Sequence, residues 1–129
     1  ETDITLAYFD QKSTVDYIGA VQGIPVCFDA KECHTDTFPL ANIHPHQVRF
    51  MEDFEKQGGI SFLLISFTHK DEFYYLRHQK LMEFWKRMEA GGRKSFRYEE
   101  LENEFFLKGK GVILVPYLDG IQKDLEIRE

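Results

Sequence analysis

Two aspartates and a lysine near the start of the chain have the types and the spacing for chemistry on phosphate esters. Asp29 and Lys31 lie two residues apart in the run IPVCFDAKE, residues 24–32, and Asp16 lies thirteen positions before Asp29. Because alternate residues of a β-strand point to opposite faces, this run places Cys27, Asp29 and Lys31 on one face. The other face is apolar and is predicted to pack into a core; it consists of Ile24, Val26, Phe28 and Ala30.

If the segment around Asp16 pairs with this run as a neighbouring strand, two carboxylates and one ammonium group converge. Close carboxylates repel each other, and Mg²⁺, which is commonly held by one or two carboxylates plus water or substrate phosphate, relieves that repulsion. A bound ion of this kind activates water and stabilises charge on a scissile phosphate. The lysine can orient or deprotonate the attacking water or stabilise charge on phosphorus. The trio predicts metal-dependent phosphodiester hydrolysis, and a solvated Asp–Lys ion pair is the alternative that the spacing leaves open.

The composition predicts a chain with one substantial hydrophobic core and no membrane-spanning segment. The 129 residues are 43% hydrophobic, enough for a single domain, and no apolar run of about 18 residues or signal-peptide pattern is present. Cys27 and Cys33 do not form a C-x-x-C pair, so a reduced, cytoplasmic setting is expected. The net charge of −6 argues against indiscriminate polyanion binding, which needs clustered Lys and Arg.

The elements that must position the trio follow from periodicity and turn residues. Three antiparallel strands are predicted first, with a hairpin turn at Gln22-Gly23. A helix then begins at Pro45, with His44 before it, and ends at Gly58-Gly59. The predicted strands are 4–9, 14–19, 24–32, 60–67, 72–76 and 111–116, and further helical segments are 79–90, 98–104 and 118–129.

The first turn of the helix at Pro45 carries further candidates for a site. His44 and His46 are two residues apart and would not share a helical face, so capping or hydrogen bonding is favoured over joint metal binding. Gln47 could reach toward the carboxylates if the helix begins beside their strand, or it could be an ordinary surface residue.

The densest basic stretch is GGRKSFR, residues 91–97, which contains Arg93, Lys94 and Arg97. Three cations with a hydroxyl make it the best local candidate for contact with DNA phosphates. A solvated loop is the alternative.

The order of these elements, with an acidic-x-Lys strand before the first long helix, resembles the restriction-endonuclease-like PD-(D/E)xK nuclease fold. The resemblance implies an α/β fold with a central mixed β-sheet flanked by helices. Within this fold, the chain most resembles the RecU family of Holliday junction resolvases, also called penicillin-binding-protein-related factor A. The resemblance covers the chain from about Ala7 to Arg97. The motifs that carry it are VDYIG at 15–19, FDAKE at 28–32, IHPHQ at 43–47 and QGGI at 57–60.

The resemblance assigns roles to individual residues. Asp16 matches the family's metal-binding aspartate, and Lys31 matches its catalytic lysine. Asp29 matches an acidic ligand that is usually Glu, so this chain differs there by one methylene. The backbone carbonyl of Ala30 would complete the protein's share of the metal shell. His46 and Gln47 match a motif near the active site.

The resemblance also implies a cofactor, partners and a domain organisation. It implies Mg²⁺, with Mn²⁺ as a substitute, four-way junction DNA as substrate, a homodimer that nicks two strands symmetrically, and a RecA-type recombinase as a further partner. Family members carry a basic N-terminal segment, a helix and a stalk before the equivalent of Ala7. Only residues 1–6 precede it here, so residues 1–129 are expected to form a single RecU-like nuclease domain without that helix and stalk.

Two alternatives to junction resolution follow from the same residues. One is a different PD-(D/E)xK nuclease that cuts other branched DNA or duplex DNA. The other is a non-cleaving protein on the same fold that binds DNA or a recombinase.

Overall fold

The part of the chain that is described contains eight strands, three α-helices and three short 3-10 helices. In the computed structural model, which describes residues 4–8, 15–107 and 114–128, the strands are β1 (Ile4–Tyr8), β2 (Tyr17–Val21), β3 (Ile24–Cys33), β4 (Thr37–Pro39), β5 (Ile60–Phe67), β6 (Glu72–Arg77), β7 (Ser95–Arg97) and β8 (Phe106–Leu107). The helices are α1 (Pro45–Lys56), α2 (His78–Glu89) and α3 (Leu114–Arg128). Among these helices, none is long and apolar enough to cross a lipid bilayer.

The strands form a six-stranded mixed sheet in the order β1-β2-β3-β5-β6-β8, and β4 pairs with β7 in a separate two-stranded sheet. Among the described strands of the large sheet, the β3–β5 pair is parallel and the other neighbouring pairs are antiparallel. A parallel pair needs a crossover connection, and residues 34–59 supply it through β4 and α1. The predicted central mixed sheet flanked by helices is confirmed.

The hairpin between β2 and β3 forms where the sequence predicts it. Gln22 and Gly23 both have positive φ, at 51° and 81°, as a tight two-residue hairpin turn requires. The register that follows from this turn pairs Tyr17 with Phe28. Turn chemistry therefore decides which residue of β3 lies opposite the start of β2.

A row of five stacked aromatic rings crosses one face of the large sheet. Neighbouring ring centroids are 4.7, 4.9, 4.1 and 5.5 Å apart along this row. Its members are, in order, Tyr17, Phe28, Phe62, Tyr75 and Phe105. Stacked aromatic pairs on adjacent strands stabilise a sheet beyond the area that they bury, so the row holds β2 and β3 in the register on which the candidate site depends.

The helices cover both faces of this sheet. On α1, Val48 and Met51 are buried as predicted. Ser61, the partner of Cys27 in the β3–β5 register, donates its hydroxyl to the backbone of Met51, which places α1 on the face of the sheet that carries Cys27. On the opposite face, α3 packs against Tyr75.

Four local predictions are wrong. The helix predicted for 98–104 is instead two separate 3-10 turns, Tyr98–Glu100 and Asn103–Phe105, because the chain is extended at Leu101 and Glu102 between them. Asp16 lies in a bend immediately before β2 rather than within a strand, because pairing with β3 begins at Tyr17. Ala30 is exposed instead of buried, since the apolar face of β3 extends only to Phe28. The strand predicted for 111–116 is helical from Leu114, with Pro116 in the first turn, where its missing N–H breaks no helical hydrogen bond; residues 111–113 lie outside the described residues.

Gly120 of α3 lies against the ring of Tyr75, and this contact leaves no room for a side chain. A Cβ atom at this position would lie 2.5 Å from Cδ2 of Tyr75. The ring cannot easily move, because it stacks on Phe62 and its hydroxyl donates to Asp124 at 2.6 Å. We therefore expect Gly120→Ala to destabilise the folded protein by about 1–3 kcal/mol, although alanine favours a helix more than glycine does.

Chemical denaturation monitored by circular dichroism would measure this change. Gln122→Ala is the matched control, since Gln122 is an exposed residue of the same helix and its replacement should alter stability by no more than about 0.5 kcal/mol. A Gly120→Ala variant as stable as the wild type would show that α3 does not pack on Tyr75 at this distance.

Candidate active site

Asp16 and Asp29 lock together at the start of the β2–β3 hairpin. The backbone N–H of Asp16 donates to Oδ1 of Asp29 at 2.7 Å, and the backbone N–H of Ala30 donates to Oδ2 of Asp16 at 3.3 Å. This exchange follows from the register, because Tyr17 pairs with Phe28 and the residue before Tyr17 must then face the residue after Phe28. The structure thus brings together the two carboxylates that the sequence singled out.

Lys31 completes the predicted trio. Its Nζ lies 2.9 Å from Oδ2 of Asp29, and its side chain is only 16% exposed. Asp29 itself is 2% exposed. A carboxylate this deeply buried needs hydrogen bonds and a compensating charge, and Lys31 supplies the charge from the same face of the same strand.

Gln47 joins the site from α1. Its Nε2 donates to Oδ2 of Asp29 at 3.1 Å, and its Oε1 accepts from Nζ of Lys31 at 3.3 Å. The same oxygen accepts the backbone N–H of His44 at 3.3 Å, so one amide both closes the helix start and bridges the acidic and basic groups. Gln47 is 6% exposed, and it is therefore part of the cluster instead of an ordinary surface residue.

The electrostatics of the cluster are those of a site that attracts a cation. Burial and then the negative charge of Asp29 raise the pKa of the Asp16 carboxyl, although the Ala30 N–H and Lys31 oppose the rise. Like charges held this close disfavour full ionisation, and a positive ion between them would remove the penalty. A single ammonium does not balance two carboxylates.

The donor set fits an ion that takes few protein ligands. Across the described ranges, no group of three or more His, Cys, Asp or Glu residues is arranged to hold a metal. Structural zinc sites use four nitrogen or sulfur ligands, whereas Mg²⁺ is typically bound by one or two carboxylates and completes its shell with water and phosphate oxygens. Asp16 and Asp29 match the second pattern.

The two histidines of the helix start lie beside each other instead of diverging. Their rings are parallel, with centroids 5.3 Å apart and an interplanar angle of 5°. His44 precedes the helix in an extended conformation, and His46 is the second helical residue. The helical spacing rule therefore does not apply to the pair, since only one of the two residues is helical.

Arg93, Lys94 and Arg97 are exposed and lie on or just before β7, outside the large sheet. Their segment is connected to the crossover between β3 and α1. β7 pairs with β4, and the backbone N–H of Leu40 donates to the carbonyl oxygen of Lys94 at 3.0 Å. The basic segment is thus attached to the stretch that joins Lys31 to Gln47.

Sequence reasoning missed a half-buried carboxylate near Cys27. Oε2 of Glu55 accepts the backbone N–H of Ser61 at 2.6 Å, and Arg128 of α3 donates two hydrogen bonds to the same carboxylate, at 2.5 and 2.9 Å. Burial opposes ionisation of Glu55, but the hydrogen bonds from Arg128 and Ser61 outweigh it and lower its pKa. No local pattern could have found this contact, because 73 positions separate Glu55 from Arg128.

The two cysteines are free and buried. Burial, followed by the nearby charges of Glu55 and Asp29, raises the pKa of the Cys27 thiol far above its ordinary value. A thiol that resists ionisation is a poor nucleophile. Cys27 therefore contributes packing beneath Asp29 and no covalent chemistry.

The family model and the curated relatives that match this chain carry the same family description. A family model described as RecU, Recombination protein U, matches residues 1–123. Holliday junction resolvase RecU of Pediococcus pentosaceus is 41% identical over 122 residues, 93% of this chain and 61% of that protein. The protein of the same name from Oceanobacillus iheyensis is 47% identical over 102 residues, 78% of this chain and 52% of that protein. This chain thus spans only about half to three fifths of the length of these curated relatives.

A search of solved structures matches Hjc, a Holliday junction resolvase from Archaeoglobus fulgidus. The TM-score is 0.44 with 8% sequence identity. The match covers 59% of this chain and 60% of that one.

Proposed function

Because this chain belongs to the RecU family, we propose that it is a structure-specific DNA endonuclease that resolves Holliday junctions by symmetric nicking in recombination and repair. The observation that carries the proposal is the contact set of Asp16, Asp29, Lys31 and Gln47. These four residues come from β3, from the position before β2 and from α1. Asp29 contacts the side chains of Lys31 and Gln47 and the backbone N–H of Asp16, whose own carboxylate accepts the N–H of Ala30. Paired carboxylates beside one lysine are suited to phosphodiester hydrolysis.

In this proposal Asp16, Asp29 and the backbone carbonyl of Ala30 hold Mg²⁺, and Mn²⁺ can replace it. When bound, the ion would neutralise the two carboxylates, activate water and stabilise charge on the scissile phosphate. The raised pKa of Asp16 supports this assignment, because burial and then the negative charge of Asp29 disfavour its ionised form, and a divalent cation would stabilise that form.

Lys31 and Gln47 have different roles beside the two carboxylates. Lys31 has an ammonium group at 2.9 Å from Asp29, and a phosphate oxygen beside that carboxylate would come within reach of the same donor. Its charge would stabilise the negative charge that builds up on phosphorus. Gln47 holds the side chains of Asp29 and Lys31 in position, since its amide contacts both of them.

Recognition of the junction would depend on backbone contacts more than on reading bases. We propose that Arg93, Lys94 and Arg97 contact DNA phosphates. We also propose that His46, which lies in the first turn of α1 and stacks on the preceding His44, supports the active site beside Gln47. A locally basic segment can bind phosphates even though the net charge of the chain is −6.

Two symmetry-related active sites match the two strands that must be nicked at a four-way junction, so the proposal includes a homodimer. It also includes a RecA-type recombinase as a partner and a location in the cytoplasm, where chromosomal DNA would be the substrate. The single nuclease domain at residues 1–129 is part of the same proposal.

The test is cleavage of a synthetic four-way junction by this chain in the presence of Mg²⁺, with a linear duplex of equal length as the control substrate. We expect paired nicks placed symmetrically near the crossover and little cutting of the duplex. Equal cutting of duplex and junction would favour a different nuclease of this fold. Junction binding without cleavage in either Mg²⁺ or Mn²⁺ would favour a non-cleaving DNA-binding protein.

A further inference from the structure

One carboxylate organises the whole basic segment at residues 91–97. Oε1 of Glu100 accepts a hydrogen bond from Nη1 of Arg87 at 2.7 Å, and Oε2 accepts one from Nη1 of Arg93 at 3.2 Å. Oε2 also accepts the backbone N–H of Arg97 at 2.9 Å. Glu100 therefore bonds to the end of α2, to the start of the basic segment and to its last residue.

Arg87 fastens the segment to α2 independently of Arg93. Its Nη2 donates to the carbonyl oxygen of Ser95 at 2.8 Å, and its own carbonyl oxygen accepts the N–H of Gly92 at 2.8 Å. Arg87 therefore contacts the segment at Gly92 and at Ser95, while its charge is balanced by Glu100. The arrangement leaves Lys94 and Arg97 exposed on a segment whose backbone is fixed.

The contacts of Glu100 are expected to contribute more than a typical surface ion pair. An isolated exposed pair contributes about 0–1 kcal/mol, but networks with well-formed arginine geometry are the exception. Glu100 bonds to two guanidinium groups and one backbone N–H at the same time, and hydrogen bonds from Arg87 are the largest cause of its lowered pKa. A carboxylate with three partners restricts all three of them.

We propose that Glu100 is a positioning residue for DNA binding: by holding Arg87, Arg93 and the backbone of Arg97, it presents the basic segment to the phosphates of the junction. This inference rests on the proposed function, because it concerns the surface that would hold that substrate. A negative charge next to a DNA-binding surface would ordinarily weaken binding. Here the carboxylate strengthens binding, because it fixes cations that would otherwise lose conformational entropy on contact with DNA.

The electrostatic effect of the Glu100 charge and its positioning effect predict opposite changes in junction affinity for the same substitution. Glu100→Gln removes a negative charge, so simple electrostatics predicts tighter junction binding. Loss of positioning predicts weaker binding, and we expect a roughly fivefold higher Kd and a salt dependence reduced by about one phosphate contact. The measurement is a titration of a labelled synthetic four-way junction at several salt concentrations, in the absence of divalent metal.

Glu99→Gln is the matched control, since Glu99 is the exposed neighbour of Glu100 and its replacement changes the net charge equally. We expect it to leave the Kd unchanged or slightly lower. Arg87→Lys keeps the charge but loses the planar fork, and it should weaken binding as Glu100→Gln does. Thermal unfolding monitored by circular dichroism would establish that each variant is folded at the titration temperature.

The outcomes separate this inference from the proposed function. If the wild type does not bind the junction at all, the proposed function fails. If the wild type binds and Glu100→Gln matches or exceeds Glu99→Gln in affinity, the positioning role is overturned. If Glu100→Gln and Arg87→Lys both weaken binding while Glu99→Gln does not, the positioning role is supported.

Discussion

Asp16→Asn should reduce junction cleavage on the order of 10³-fold while leaving the chain folded. The change removes one of the two carboxylates proposed to hold Mg²⁺ but keeps an oxygen that can accept the Ala30 N–H. The amide can also donate to Asp29, where the carboxylate could only repel it. The measurement is the initial rate of paired nicking at saturating junction with Mg²⁺. Asp53→Asn, an exposed Asp-to-Asn change on α1, should leave that rate unchanged.

The same variant should be more stable than the wild type when no metal is present. In the folded chain the pKa of Asp16 is raised by burial and by Asp29. A carboxyl with a raised pKa binds its proton more tightly when folded, so stability falls as the pH rises above the ordinary range of an aspartate. Asp16→Asn removes this dependence, and its thermal midpoint at neutral pH should lie above that of the wild type.

Adding Mg²⁺ should make the wild type more stable than Asp16→Asn. Mg²⁺ at about ten times its Kd would stabilise the wild type by roughly 1.4 kcal/mol, because it binds only the folded chain. Asp16→Asn should gain much less. Thermal unfolding with and without Mg²⁺ gives both numbers without relying on cleavage. An Asp16→Asn variant that responds to Mg²⁺ as the wild type does would overturn the assignment of this carboxylate to the metal.

Lys31→Met should lower the cleavage rate by roughly 10²–10³-fold, with junction affinity changed by no more than about twofold. Methionine has a similar length but no charge, so the ammonium group that contacts Asp29 and Gln47 is lost without a large cavity. The loss should appear in kcat rather than in KM, since the charge is needed mainly as negative charge builds up on phosphorus. Lys86→Met, on the exposed part of α2, is the matched control.

Lys31→Arg then identifies what the lysine does. A guanidinium supplies positive charge but cannot act as a base, because arginine stays protonated. If Lys31 stabilises charge, arginine should recover about tenfold of the rate that methionine loses. An arginine variant as slow as the methionine variant would point instead to proton transfer by Lys31 or to a need for the compact shape of an ammonium.

Much of the candidate site could be read from local sequence. The alternation of apolar and polar residues in β3 placed Asp29 and Lys31 on one face, and the Gln22-Gly23 turn set the pairing that brings Asp16 opposite Asp29. Pro45 marked the start of α1. Each of these features is encoded within a few residues, because strand period, turn type and helix start depend on backbone geometry close to the residue concerned.

Other features were decided only by the tertiary structure. Whether Gln47 faced solvent or the carboxylates depended on where the crossover brings α1 against β3, and the partners of Glu100 depended on how β7 folds back onto α2. The segment from Leu114 became a helix although its composition favours a strand, because β8 already occupies the edge of the sheet and α3 packs on Tyr75. The sequence by itself determined which chemical groups are available and the local shape of the strands that carry them. Only the packing of distant elements decided which groups meet, since contacts between residues far apart in the chain depend on sheet register and helix docking rather than on any local pattern.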